Sequence, residues 1–216
     1  MKSINQHINK LREDFLKGEL SEENISHEPN VLFEHWFNEA INLEVNEPLA
    51  FNLATVNEEN KPTSRIVYLR EFGENKFYFF TNYHSRKAQE LVKHPHICMN
   101  FFWPELERQV RIEGTVEKAS KEKSDSYFEH RPKESKIGAW SSPQSKVIVN
   151  RNELENLVNE NRLKFTTDEI PRPEFWGGFV ITAHYYEFWQ GRKSRLHDRI
   201  SFTQEGDNWK INRLAP

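Results

Sequence analysis

The sequence predicts a mainly β fold with peripheral helices (α+β), in which antiparallel strands close fully or partly into a barrel. Three observations predict it. Short runs rich in β-branched and aromatic residues recur from Leu49 onward, separated by turn-forming clusters. Helical periodicity is confined to the stretch before Asn46 and to a few interruptions of the strand pattern. Sixteen Phe, six Trp and six Tyr supply the large flat side chains that an interior built on sheet faces needs. Closure follows because many antiparallel strands with few helices would otherwise leave exposed edges that invite aggregation.

Taken in order, Ile4, Ile8, Leu11 and Phe15 recur at helical spacing before Gly18, which predicts an amphipathic helix with a C-terminal stop. A polar linker, Ser21 to Pro29, follows. Val31, Leu32, Trp36, Phe37, Ala40 and Ile41 form a second helical stripe that ends before Asn46-Glu47-Pro48. Strands are predicted at Leu49–Val56, Ser64–Glu71 and Lys76–Thr81, with hairpin turns at Asn57–Asn60 and Phe72–Asn75. Ser85–His94 reads as a short helix closed by Pro95. Further strands fall at His96–Trp103, Gln109–Val116, Phe179–Trp189, Arg199–Phe202 and Trp209–Ile211, about eight in all. Between them lie helices at Lys121–His130 and Glu153–Phe165, the second opened by a capping-box pairing of Asn150 with Glu153.

Composition bounds the function. A chain of 216 residues suits one substantial core, so residues 1–29 read as a helical arm and linker and residues 30–216 as a single domain. Thirty Lys and Arg against 33 Asp and Glu lack the basic excess of many nucleic-acid binders, so any anion site must be local. Cys98 is the only cysteine, which rules out an intrachain disulfide and a polythiolate zinc site. His94-Pro95-His96 lacks the carboxylate or cysteine neighbours of a metal site, and no metal is expected. With a polar N-terminus and no apolar run near the ~20 residues that span a bilayer, the expectation is a soluble cytoplasmic protein without a membrane partner. Dinucleotide, phosphate-loop, nucleophile-elbow and zincin motifs are absent.

Three constellations carry possible chemistry. Ser85-Arg86-Lys87-Ala88 opens a helix, and two cations beside the positive end of the dipole are unfavourable unless an anion such as phosphate joins them; two solvated charges are the alternative. Tyr127 and Arg131 share a helix face before Pro132, with Ser135 just beyond, so two hydroxyls and a guanidinium could converge on a phosphate or simply pack at the surface. Arg195, His197 and Arg199 alternate, and in an extended segment they would project from one face and call for a counter-charge such as a flavin or phosphate; a surface strand carrying polar residues is the alternative. Arg65 and Arg70, five apart, would point to opposite faces of a regular strand, so a bulge or strand end must intervene for both to serve one site.

Several motifs in one order, Arg65-Ile66-Val67, Ser85-Arg86-Lys87-Ala88, Leu106 to Val110, Ile137 to Trp140, Phe175 to Gly178, Arg195 to Arg199 and the ending Arg213 to Pro216, closely resemble the pyridoxine/pyridoxamine 5'-phosphate oxidase family from about Leu32 onward. The resemblance implies an FMN-binding split β-barrel working as a homodimer, with flavin between subunits and O2 as electron acceptor. It places FMN against Arg65, Ile66, Val67, Tyr68, Leu69, Arg70, Phe80, Thr81, Arg86, Lys87, Gln109, Gln144, Ser145, Trp189 and Arg199. Substrate phosphate falls to Arg70, Tyr127, Arg131 and Ser135, and the pyridine ring to Arg195, Leu196 and His197, with Arg195 and His197 as the catalytic pair. Arg70 replaces a family lysine and Phe80 a frequent tyrosine.

Other classes stay open at this level. A split-barrel flavin reductase would keep the FMN residues without needing Tyr127, Arg131, Ser135 and Arg195 together. A non-enzymatic FMN or pyridoxal phosphate carrier would bind ligand and form no peroxide. A nucleic-acid-binding barrel sits poorly with the acidic balance.

Overall fold

The computed structural model describes residues 14–216. They form five α-helices: α1 (Pro29–Asn42), α2 (Arg86–Lys93), α3 (Lys121–Glu129), α4 (Lys133–Ser141) and α5 (Arg151–Lys164). Nine strands accompany them: β1 (Ala50–Val56), β2 (Pro62–Tyr68), β3 (Glu71–Gly73), β4 (Lys76–Asn82), β5 (His96–Trp103), β6 (Arg108–Lys118), β7 (Trp176–Gln190), β8 (Asp198–Glu205) and β9 (Asn208–Arg213). Sheet order is β2-β1-β5-β6-β7-β4-β3, with β8 on β7 and β9 on β8. The chain divides into two compact units. One comprises the residues up to Pro48, Asn100–Ile112 and His184–Pro216; the other comprises Leu49–Met99 and Glu113–Ala183.

In the first unit α1 buries Leu32, Phe33, Trp36, Phe37 and Ala40, the stripe that sequence spacing predicts. Phe33 stacks on Phe37 with centroids 5.5 Å apart and tilts against Phe101 at 5.3 Å, while Trp36 meets Phe188 edge-on at 5.3 Å. Phe33 is fully buried, so truncation to alanine would destabilise the fold by about 3–5 kcal/mol through lost transfer energy and the cavity left behind. Residues 184–190 of β7 belong to this unit and pair antiparallel with β8, which pairs with β9. The predicted first helix lies outside the described residues apart from its end, where Asp14–Gly18 are not helical. Polar groups fasten that stretch instead: Glu107 accepts from Leu16 N–H and Lys17 N–H at 2.7 and 2.9 Å, and Leu20 N–H donates to Asp198.

In the second unit β1 and β2 form a hairpin whose register sets Thr55 opposite Thr63 and Leu53 opposite Arg65. Its turn is held by Asn57 Oδ1, which accepts from Glu59 N–H and Lys61 N–H, with Asn60 left-handed at φ 58°. The next turn is tighter than the sequence reading allowed. Only Glu74 and Asn75 turn, both at positive φ as a type I′ hairpin requires, and Phe72 and Gly73 join β3. β4 pairs with the first half of β7, bringing Phe79 opposite Phe179, and the two stack at 5.6 Å beside fully buried Phe51 and Phe77. A second apolar cluster, Phe128, Ile137, Ala139, Ile170 and Trp176, gathers α3, α4 and the start of β7. Helix α4 is not predicted by the sequence pattern, because Pro132, which disfavours continuation of the helix before it, also begins a new helix by occupying its N-cap. No helix among the described residues is long and apolar enough to cross a membrane.

Candidate functional site

The expected site residues divide between the two units. Arg65 to Arg70, Phe80, Thr81, Arg86, Lys87, Tyr127, Arg131, Ser135, Gln144 and Ser145 belong to one, and Gln109, Trp189, Leu196 and Arg195, His197 and Arg199 to the other.

Within the first group, Arg65, Arg86, Lys87, Gln144 and Ser145 line one hollow of about 330 Å3 together with Thr63 and Ser64. Helix α2 begins there, capped by Ser85 Oγ, which accepts from Ala88 N–H. Among the described residues Lys87, in the first turn, donates only to neutral oxygens, Thr81 Oγ1 at 3.1 Å and Gln144 Oε1 at 3.4 Å. Burial and the charge of Arg65 push its pKa down to about 8. Glu90, one helical turn on from Arg86, is the carboxylate of the cluster: it pairs with Arg65 at 3.0 Å and Arg86 at 2.9 Å. Glu90 is not among the residues that the sequence motifs single out, and its i, i+4 spacing from Arg86 is the signal that points to it. Ser145 sits at φ 70°, in the loop that follows α4.

A second hollow, about 260 Å3, is lined by Arg131, Ser135, Asn82, Gln144 and Trp176, so Gln144 borders both. Arg131 lies past the end of α3, donates to Ser135 O at 3.0 Å and stacks over Trp176 at 4.4 Å. It has no carboxylate partner among the described residues. Burial lowers its pKa, as does the charge of Arg70, whereas Tyr127 acts in the opposite sense. Arg70 reaches this neighbourhood because β2 ends at Tyr68. Leu69 N–H then donates to Leu49 O and Arg70 N–H to Tyr78 O, so pairing passes from β1 to β4 between adjacent residues. Tyr127 stacks on Phe80 with centroids 3.7 Å apart, and both rings lie nearly parallel to Trp176. Gly178 permits this, since a Cβ there would lie 2.8 Å from the Phe80 ring; beside it, a Cβ at Gly177 would lie 2.1 Å from the Tyr83 hydroxyl. Ile66 and Tyr68 are exposed on β2, Val67 is half-buried and Leu69 is buried.

In the other unit Trp189 lies opposite Arg199 across β7 and β8. Arg199 donates to buried Glu187 at 2.8 Å and to Ala215 O, and Arg111 donates to the same carboxylate at 2.6 Å. Burial alone would raise the Glu187 pKa, but the two guanidinium hydrogen bonds outweigh it and the net shift is downward. Gln109 Oε1 lies 3.5 Å from Asn100 Nδ2. The expected single face for Arg195, His197 and Arg199 is not found. Strand register pairs Gln190 with Asp198, so residues 191–197 are the connection between strands, and Ser194 and Arg195 adopt φ 56° and 61°. His197 Nδ1 accepts from Arg192 N–H at 3.1 Å, and its ring lies 4.6 Å from Trp189 and 5.5 Å from Phe15. Burial and the Arg195 charge lower the His197 pKa, with Asp198 opposing them. Arg195 and Leu196 are exposed.

A largely antiparallel β protein with two adjoining hollows, where cations outnumber carboxylates, has the charge of an anion-binding protein. Comparison with known proteins specifies the kind. Residues 37–164 match the family described as pyridoxamine 5'-phosphate oxidase, and residues 176–216 match the pyridoxine 5'-phosphate oxidase C-terminal dimerisation region; the chain belongs to the pyridoxamine 5'-phosphate oxidase family. Proteins named pyridoxine/pyridoxamine 5'-phosphate oxidase from Neisseria meningitidis serogroup C and Polynucleobacter asymbioticus are 48% and 49% identical to it, each over 97% of this chain and 99% of its own length. Among solved structures, PhzG from Burkholderia lata 383, in complex with tetrahydrophenazine-1-carboxylic acid, superposes with a TM-score of 0.84 at 27% identity, covering 90% of this chain and 95% of its own. A pyridoxamine 5'-phosphate oxidase-related FMN-binding protein from Nostoc punctiforme shares the fold, with a TM-score of 0.71 at 16% identity over 89% of this chain and all of its own. The split-barrel fold class that the sequence resemblance implies is thereby established.

Proposed function

We propose that this chain is an FMN-dependent oxidase that converts pyridoxine 5'-phosphate or pyridoxamine 5'-phosphate to pyridoxal 5'-phosphate, with O2 as electron acceptor. The observation that carries this reading is the pair of cationic hollows meeting at Gln144, each with a cation, Lys87 or Arg131, that has no carboxylate partner among the described residues. Such cations are stable where a dianionic ester joins them. The names of relatives near 48% identity support the same reading.

Arg65, Arg86 and Lys87 would hold the FMN phosphate, with Thr81, Gln144 and Ser145 beside it. When bound, FMN supplies the acceptor for a hydride from the substrate's C4' carbon, and O2 then takes the electrons to give peroxide. Arg131, Ser135, Tyr127 and Arg70 would fix the substrate phosphate, so that the vitamer's reacting carbon is held in one place. Arg195 and His197 would address the pyridine ring. Because His197 Nδ1 already accepts a backbone N–H, its neutral ring carries the proton on Nε2, which is then the nitrogen free to donate. Loss of hydride and a proton from the alcohol leaves the aldehyde, while from the amine it leaves an imine that water hydrolyses to aldehyde and ammonia.

The match to a dimerisation region over residues 176–216 covers Trp189, Arg195, His197 and Arg199. We place these at the interface of a homodimer, with FMN between subunits. The test is direct: purify the full chain, record its absorption spectrum, and measure peroxide on adding each phosphorylated vitamer. A yellow protein that forms peroxide with at least one vitamer is expected. A colourless protein that FMN cannot reconstitute would overturn the proposal, and flavin uptake without peroxide would leave a carrier.

A further inference from the structure

Glu90 pairs with two of the cations that line the cationic hollow, and no assignment above gives it a role. It is 5% exposed, yet four donors meet it: Thr55 Oγ1 at 2.6 Å, Thr63 Oγ1 at 2.7 Å, Arg65 Nη2 at 3.0 Å and Arg86 Nε at 2.9 Å. Burial alone would raise its pKa, but these hydrogen bonds outweigh burial and hold it at about 2, so it is a carboxylate throughout the working range.

Geometry distinguishes what Glu90 does to each cation. Arg65 is locked on both terminal nitrogens: Nη1 donates to Leu53 O and Thr55, and Nη2 to Thr63 and Glu90. It is thus a fixed positive charge in the wall. Arg86 is gripped only at Nε, which leaves its two terminal nitrogens without a partner among the described residues, on a side chain that is 63% exposed and lines the hollow. A guanidinium held that way presents a two-nitrogen fork, the geometry that matches two oxygens of a phosphate. One carboxylate among Arg65, Arg86 and Lys87 leaves a formal excess of two positive charges, equal and opposite to a phosphate monoester dianion.

We infer that Glu90 is the positioning residue of the phosphate hollow, clamping Arg65 and aiming the free edge of Arg86, so that the site selects a phosphate monoester over the same ligand without its phosphate. The inference rests on the reading that this hollow takes the FMN phosphate. It also predicts a sign that simple charge counting does not, since removing a negative charge beside an anion site should by Coulomb's law tighten anion binding.

The test is flavin binding to the full chain, stripped of cofactor, in wild type, Glu90→Gln and Glu90→Asp, followed by quenching of flavin fluorescence with FMN and with riboflavin. Glutamine keeps the size but cannot accept from two guanidinium groups, and aspartate keeps the charge but is shorter. Both are expected to weaken FMN binding, glutamine by about 10- to 100-fold, while riboflavin affinity stays constant. FMN binding as tight as wild type, or tighter, in Glu90→Gln would overturn the role, as would equal losses for FMN and riboflavin. If Glu90→Gln does not fold, Thr63→Val, which removes one donor to Glu90 and one acceptor of Arg65 and keeps every cation, must lower FMN affinity more than riboflavin affinity or the inference fails. Should wild type itself bind FMN no better than riboflavin, the assignment of the hollow falls first and this inference with it.

Discussion

Two arginine-rich regions of this molecule resemble each other in composition and differ in how their charges are matched. Around Arg192 and Arg213 carboxylates are plentiful: Arg192 meets Glu19 at 3.1 Å and Asp198 at 3.6 Å, and Arg213 meets Glu22 at 2.6 Å and Asp198 at 2.9 Å. The result is a fastening between the chain near residue 20 and the C-terminal strands, complete without any ligand. Around Arg65, Arg86 and Lys87 a single carboxylate among the described residues, Glu90, pairs with the two arginines and leaves Lys87 with neutral partners. One arginine cluster is thus matched by carboxylates and the other is left short of them, and sequence composition alone does not report that difference.

Arg195 sits beside the fastened stretch but has no carboxylate partner among the described residues. Its replacement by alanine is the strongest way to separate site from fastening. A loss of about 2–4 kcal/mol in kcat/KM is expected, as for a preorganised electrostatic donor, with flavin content and melting temperature retained. Unchanged turnover would return Arg195 to the fastening.

Arg131→Ala addresses the second hollow. Contacts to a phosphate remote from the reacting carbon act nearly equally in ground and transition states, so KM should rise by the equivalent of about 1.5–3 kcal/mol while kcat holds. A fall in kcat at constant KM would contradict that.

A smaller effect should appear in pH. Lys87 in the free protein has a pKa of about 8, lowered by burial and by Arg65, so below that pH it already carries the proton that a dianion needs. Above it a proton must be taken up on binding. FMN affinity should be flat between the second phosphate pKa near ~6 and about 8, then weaken by up to tenfold per unit. Lys87→Arg should remove the upper break, because guanidinium stays charged; a break that persists in this variant assigns it to another group.

Glu22→Gln should matter least. The hydrogen bond from Arg213 holds the Glu22 carboxyl at about 2, below its ordinary 4.5, so its contribution is full above pH 4.5 and fades as pH falls toward 2. Both partners are more than two-fifths exposed, so solvent screening keeps that contribution under about 1 kcal/mol. Thermal unfolding at pH 7 should shift slightly while FMN affinity does not; a loss of FMN affinity would blur the line between the two regions.

Much of this could be read from residue order. Strand and helix positions follow from alternation and helical spacing, and Ser85, Asn57 and Asn150 cap or turn the chain where their side chains allow. Misreadings have identifiable causes. Pro132 both ends and begins a helix, and Glu74-Asn75 turn within two residues by adopting positive φ, which neither side chain announces as glycine would. Arg195 looked extended because alternation is visible in sequence and strand register is not. Glu90 and Glu187 were missed because a carboxylate's burial and its partners are properties of the fold, even though Glu90 stands one turn from Arg86.

The two adjacent glycines at the start of β7 have a consequence for divergence. Each faces an aromatic side chain at a distance that leaves no room for even a methyl group. An alanine at Gly178 would displace the Phe80 ring, and Tyr127, stacked 3.7 Å beyond it, would have to follow. Homologues that drift at this position are therefore expected to change the residue at 80 as well, a pairwise constraint detectable by reading aligned sequences before any ligand is considered.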